Sequence, residues 1–161
     1  MLRKLDPEAR TSVDLSSLWK LAGFNLRMLD VRMMRTTTDA LARIGLTPAS
    51  ATVLLVLDAN PGLQHGKLAD ALLVQRPNMT KLVKRLEARR LVSRGASPGD
   101  RRQIVLGLTS AGRRLAEQAF DIFNVHDAAM FAALKPAERR QFTRFVGRVL
   151  AGLEADESTG N

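Results

Sequence analysis

The chain has no cysteine among its 161 residues. That absence excludes disulfides, thiol redox sensing and cysteine-ligated zinc together. Histidine is scarce too. His65 and His126 are the only two, and neither belongs to a cluster of histidines and acids, so no metal or other cofactor is expected. No stretch approaches the roughly 20 apolar residues of a membrane span. Met1–Pro7 lacks the apolar core of a signal peptide, so a cytoplasmic chain with no membrane contact is the expectation. There is no glycine-rich phosphate loop and no spaced pair of carboxylates, so nothing nominates an enzyme.

What the chain does have is positive charge. Twenty-five Lys and Arg face 16 Asp and Glu, for a net charge of +9 and an isoelectric point near 11.2. Such a balance favours an anionic partner, DNA before RNA. A length of 161 residues suits a single domain with a real core.

The charge is concentrated. Arg76 to Arg102 holds nine basic residues and two acids, Glu87 and Asp100, which is +7 of the +9. The surrounding pattern, residues 65–112, reads as helix, turn, helix and a two-stranded hairpin with arginines near its tip. In the second helix Met79, Leu82, Val83 and Leu86 stand at i, i+3, i+4 and i+7, one apolar stripe. At about 100° per residue, Pro77, Asn78, Lys81, Lys84 and Arg85 fall on the opposite face. Pro77 suits a first turn, where its missing N–H has no partner to lose. The helix before it is short, with Leu68, Ala69, Leu72 and Leu73 able to pack beneath its neighbour and Leu73-Val74-Gln75 as the turn. Gln75 stands where an N-cap belongs but is a poor cap, so it stands there for contact or by chance and not for capping. Such a unit can lay a helix in the DNA major groove and a basic loop beside it.

Along the rest of the chain, residues 1–13 form a polar lead-in. Residues 14–44 read as one long helix, capped by Asp14, with an apolar row through Leu15, Leu18, Ala22, Asn25 or Leu26, Leu29 and Met33. Gly45 ends it, and Thr47-Pro48 caps and opens the next helix, which Asn60-Pro61-Gly62 stops. Residues 45–110 make a winged helix-turn-helix. Residues 111–154 form C-terminal helices, started by Thr109 or Ser110 and broken at Leu134-Lys135-Pro136, and 155–161 form a disordered tail. The fold class is mainly α with a small β-hairpin: a winged helix-turn-helix with flanking dimerisation helices. The first and last helices keep apolar faces that a second copy would cover. A homodimer would match the two-fold symmetry of a palindromic operator with half-sites about 10 base pairs apart.

Certain motifs sharpen this. Leu86-Glu87 is followed by Leu91-Val92-Ser93-Arg94, then Asp100-Arg101-Arg102, then Leu108-Thr109-Ser110-Ala111-Gly112. With its D-x-R element and L-T-x-x-G junction, the chain resembles the MarR family of bacterial transcriptional regulators over about residues 15–153. The resemblance implies a sequence-specific DNA-binding repressor, with an architectural DNA-binding protein as the alternative. It implies that Arg102, with Arg101 beside it, enters the minor groove, and that Asp100 supports the wing by pairing with an arginine, Arg94 being the local candidate. It places Gln75, Arg76, Asn78, Thr80 and Lys81 near bases or phosphates, with Pro77 and Arg85 on the same helix. It also implies release by a small ligand, often an aromatic acid. Trp19, Phe24, Arg27, Met28 and Arg32 on the first helix offer aromatic, thioether and guanidinium surface for one.

Overall fold

The computed structural model describes residues 13–96 and 103–159. The chain divides into two compact units, one ending at Ile122 and the other starting at Phe123.

The first unit opens differently from the expectation of one helix over 14–44. A single 3-10 turn, Leu18–Lys20, comes first; Leu21 is extended, and helix α1 runs Ala22–Ala42. Local polar groups explain the break. The Asp14 carboxylate accepts the Ser16 N–H at 2.8 Å instead of capping a long helix. Asn25 Nδ2 donates to the carbonyls of Trp19 (2.9 Å) and Leu21 (2.7 Å), and Leu21 O also accepts the Asn25 N–H at 3.2 Å. Side-chain bonds of this kind compete with a continuous helical ladder.

The end of α1 follows the sequence. Gly45 has φ +70°; its N–H bonds to Ala42 O and the Leu46 N–H to Leu41 O, the paired bonds of a Schellman motif. Thr47 Oγ1 then accepts the Ser50 N–H at 3.2 Å and caps α2, Pro48–Ala59, with Pro48 in its first turn.

The chain continues through strand β1 (Leu63–Gln64), α3 (His65–Ala71), α4 (Arg76–Ala88), β2 (Val92–Ala96), β3 (Ile104–Leu108) and α5 (Ser110–Met130). The sheet is antiparallel in the order β1-β3-β2, with Leu63 opposite Leu106, Val92 opposite Leu108 and Ala96 opposite Ile104. The expected hairpin is therefore a three-stranded sheet. Two residues are too few to show a period of two, so β1 had no pattern to read.

Leu41, Leu54, Leu57, Leu68, Met79, Leu86 and Leu106 are essentially without exposed surface. They tie α1–α4 to the sheet, at roughly 1.5–3 kcal/mol of burial for each side chain. Small residues of α5, Gly112, Ala116 and Ala119, are buried one helical turn apart. In the turn before α4 the structure corrects one expectation: Leu73 does not pack beneath its neighbour but is 90% exposed.

In the second unit, the end of α5 turns into α6, Pro136–Thr159. Glu138 Oε2 accepts the Lys135 N–H at 2.7 Å, the return half of a capping box. Arg139 pairs with Asp127 and lies over the Phe131 ring at 5.7 Å; Phe131 meets Phe142 at 5.4 Å. The expected disordered tail from residue 155 is helical through Thr159. Glu and Ala in that segment are strong helix formers, and a helix already nucleated extends readily through them.

Candidate nucleic-acid interface

Helix α4 turns its stripe inward as its spacing requires. Met79, Val83 and Leu86 are buried, which forces Pro77, Asn78, Lys81, Lys84 and Arg85 outward, all of them exposed. Gln75 is extended and makes no side-chain cap bond; its carbonyl accepts the N–H of Asn78 and Met79. The side chains of the first turn are thus left to face a partner.

The turn before α4 is also a Schellman motif. The Val74 N–H bonds to Ala69 O at 3.0 Å and the Leu73 N–H to Asp70 O at 3.2 Å. Leu73 takes the left-handed position, φ +52°, where glycine is the usual residue. Arg90, φ +56°, holds the same position after α4, with the Leu91 N–H on Leu86 O and its own N–H on Glu87 O.

Three side-chain links hold α4 along its flanks. Thr80 Oγ1 donates to Arg76 O at 2.9 Å and lies 3.3 Å from His65 Nε2. With the single hydroxyl proton used, the His65 contact requires Nε2–H as donor. Glu87, on the same side, pairs with Arg94 of β2. On the opposite flank, Arg89 Nη1 donates to Gly45 O at 2.6 Å. A fourth link joins Gln64 to Gln103 at the base of the wing.

Arg94, the local candidate for a partner of Asp100, pairs with Glu87 of α4. Asp100, Arg101 and Arg102 lie outside the described residues. In the sequence Glu87 stands out only as part of the Leu86-Glu87 motif. Its role depends on how β2 folds back on α4, which residue spacing does not display.

The strand-to-helix junction also acquires a cause. Thr109 Oγ1 donates to Arg90 O at 2.7 Å and accepts the Gly112 N–H at 3.0 Å. Thr109, and not Ser110, caps α5, and the same hydroxyl holds the end of α4.

The electrostatics are one-sided. Arg76 reaches Asp70 at 3.6 Å, but both groups are largely exposed, so the pair is weak. Among the described residues, Lys81, Lys84 and Arg85 have no carboxylate partner. Unpaired cations on the outer face of a helix, with a wing beside it, match the charge pattern of phosphate binding.

The residues considered for a ligand come together only in part. Trp19, Met28 and Arg32 line a hollow of about 130 Å³ with Asn25 and Leu29. Phe24 meets Trp19 edge to face at 5.0 Å. Arg27 lines a separate, open hollow with Asp30, Met34 and Arg35, because it projects from another side of α1. Trp19 Nε1 is buried with no hydrogen-bond partner among the described residues. No group of three metal-ligating side chains occurs among those residues, and no helix there is long and apolar enough to cross a membrane.

A helix-turn-helix whose second helix turns unpaired cations outward, flanked by a three-stranded wing, defines the winged helix-turn-helix class of DNA-binding proteins. The MarR family model matches residues 44–103. A regulatory protein for the hcr operon of Thauera aromatica is 34% identical over 123 residues, 73% of this chain and 71% of that protein. The transcriptional repressor CouR bound to a 23-mer DNA duplex superposes with a TM-score of 0.79 at 30% identity, covering 87% of this chain and 99% of CouR. CouR bound to p-coumaroyl-CoA gives 0.75 at 29% identity, over 86% and 97% of the two chains. The chain belongs to the MarR family of transcriptional regulators.

Proposed function

We propose that the chain is a homodimeric repressor that reads a palindromic operator with α4 and is released by a small aromatic ligand. The outward face of α4 is the observation that carries this reading. Pro77 and Asn78 open the helix, Lys81 stands one turn on, and Arg85 follows, all exposed. Asn78 and Lys81 suit base edges, because short and flexible polar side chains at a recognition helix's start reach into the groove. Gln75, Arg76 and Thr80 frame them and position the backbone. Thr80 is confined to accepting a hydrogen bond, since its proton goes to Arg76 O. Arg101 and Arg102 complete the reading at the wing.

The apolar rows support a second copy. Leu18, Leu21, Leu26, Val31 and Met34 in the first unit are exposed, as are Phe145, Val149, Leu150 and Leu153 in the second. Rows of this size on a water-facing surface mark an interface. For the ligand, the hollow beside Trp19 is about the size that holds a single benzene ring. Trp19 Nε1 supplies a donor and Arg32 a cation beside it. That chemistry fits an aromatic acid or its thioester, in keeping with the p-coumaroyl-CoA bound by CouR.

Selection from a random duplex library tests the reading. Enrichment of one palindrome with half-sites about 10 base pairs apart supports it, and recovery without any enriched sequence refutes it. Release of the selected duplex by p-coumaroyl-CoA or by free aromatic acids then tests the ligand, with Trp19→Phe expected to weaken the response.

A further inference from the structure

A hollow of about 360 Å³ lies between the C-terminal half of α4 and the turn joining α1 to α2. Arg85 and Arg89 line it from one turn of α4; Gly45, Thr47 and Ser50 line it from the turn opposite, and Leu82 lies between. No acid lines it, and neither arginine has a carboxylate partner among the described residues.

The donors are set in place. Arg89 is fixed by its bond to Gly45 O, which uses Nη1 and leaves Nε and Nη2. Gly45 is left-handed, and a Cβ added there would press on Arg89 Nη2 at 3.2 Å, the movable end of that side chain. Ser50 is only 8% exposed and its hydroxyl lies 2.9 Å from that of Thr47. Two hydroxyls bring two protons, and one bond between them uses one. The other proton has no acceptor among the described residues. The hollow therefore offers two guanidiniums and a spare hydroxyl donor, with no acceptor charge to oppose an anion.

We propose that this hollow binds a phosphate group. Phosphate presents several acceptor oxygens, and guanidinium forks match its geometry; Leu82, Leu86 and Ala88 add carbon surface that the organic part of an ester or a deoxyribose would meet. The source is a backbone phosphate of the operator, held at the edge of α4, or a free phosphate ester. The first source rests on the DNA-binding reading above; the second does not.

Titration of the free protein with inorganic phosphate, at ionic strength held constant with chloride, is the first arm. Saturable shifts of the Gly45, Ser50 and Arg89 Nε–H resonances are expected. Arg85→Gln, which breaks no internal bond, and Ser50→Ala weaken the binding by roughly tenfold. Arg114→Gln on α5 removes the same charge and leaves the shifts alone. The second arm measures operator affinity against salt concentration. The Arg85→Gln/Arg89→Gln double variant lowers the log–log slope by about one, as two arginines sharing a single phosphate require. Loss of slope together with phosphate competition assigns the operator as source; saturable phosphate binding with an unchanged slope assigns a free ester. No saturable shifts with an unchanged slope, or a loss of about two slope units, overturns the shared site. Specific operator binding by the wild-type chain would survive that result, so the two readings fail separately.

Discussion

The main-chain oxygen of Leu91 occupies the space that a side chain at Gly112 would need: a Cβ there would sit 2.0 Å from it. The approach fixes the first turn of α5 against the chain leaving α4. Because the obstacle is backbone, no rotamer change relieves it. Gly112→Ala should destabilise the protein by about 3 kcal/mol, read as a lower urea midpoint with an unchanged slope. Stability equal to wild type would mean the junction opens freely.

Leu73 holds a left-handed conformation with almost nothing packed on it. A non-glycine residue there is strained by roughly 1–2 kcal/mol, part of which the greater freedom of unfolded glycine offsets. Leu73→Gly should therefore raise stability by about 0.5–1 kcal/mol. A clear loss of stability would reveal packing that the exposed position does not show.

The ion pair between Glu87 and Arg94 joins the recognition helix to the wing. Both groups are partly exposed, so Glu87→Gln should cost under about 1 kcal/mol of global stability. Its larger effect should be local. Amide exchange in Val92–Ala96 and Ile104–Leu108 should quicken, and the preference for operator over scrambled DNA should fall. Unaltered exchange in both strands would show that the sheet alone positions the wing.

Thr80 gives its one hydroxyl proton to Arg76 O, so His65 must donate through Nε2. Nitrogen chemical shifts of the His65 ring at alkaline pH should report the Nε2–H tautomer in the wild type. Thr80→Val should relax the ring toward the mixed tautomer population of a free imidazole. An Nδ1–H ring in the wild type would show that the Thr80 hydroxyl points elsewhere.

Much of the frame was legible because it is periodic or punctuated. The Met79, Val83, Leu86 stripe fixed which face of α4 turns outward, and Gly45, Thr47 and Pro48 marked a helix boundary by their own chemistry. What escaped depends on partners distant in sequence or on short competing bonds. Asn25 breaking the first helix, two-residue β1, and the Glu87–Arg94 pair carry no periodic signal. Leu73 reads two ways in the sequence, as a packing residue and as the start of the turn through Gln75; its backbone angle and exposure put it in the turn.

The most direct test of the central claim is fluorescence anisotropy on DNA from immediately upstream of the chain's own gene, with a scrambled duplex alongside at two salt concentrations. The account predicts a preference of about a hundredfold or more for one duplex. Both affinities should fall steeply as salt rises. Equal binding to both, repeated with the duplex recovered by library selection, would contradict sequence-specific reading and leave an architectural DNA-binding protein.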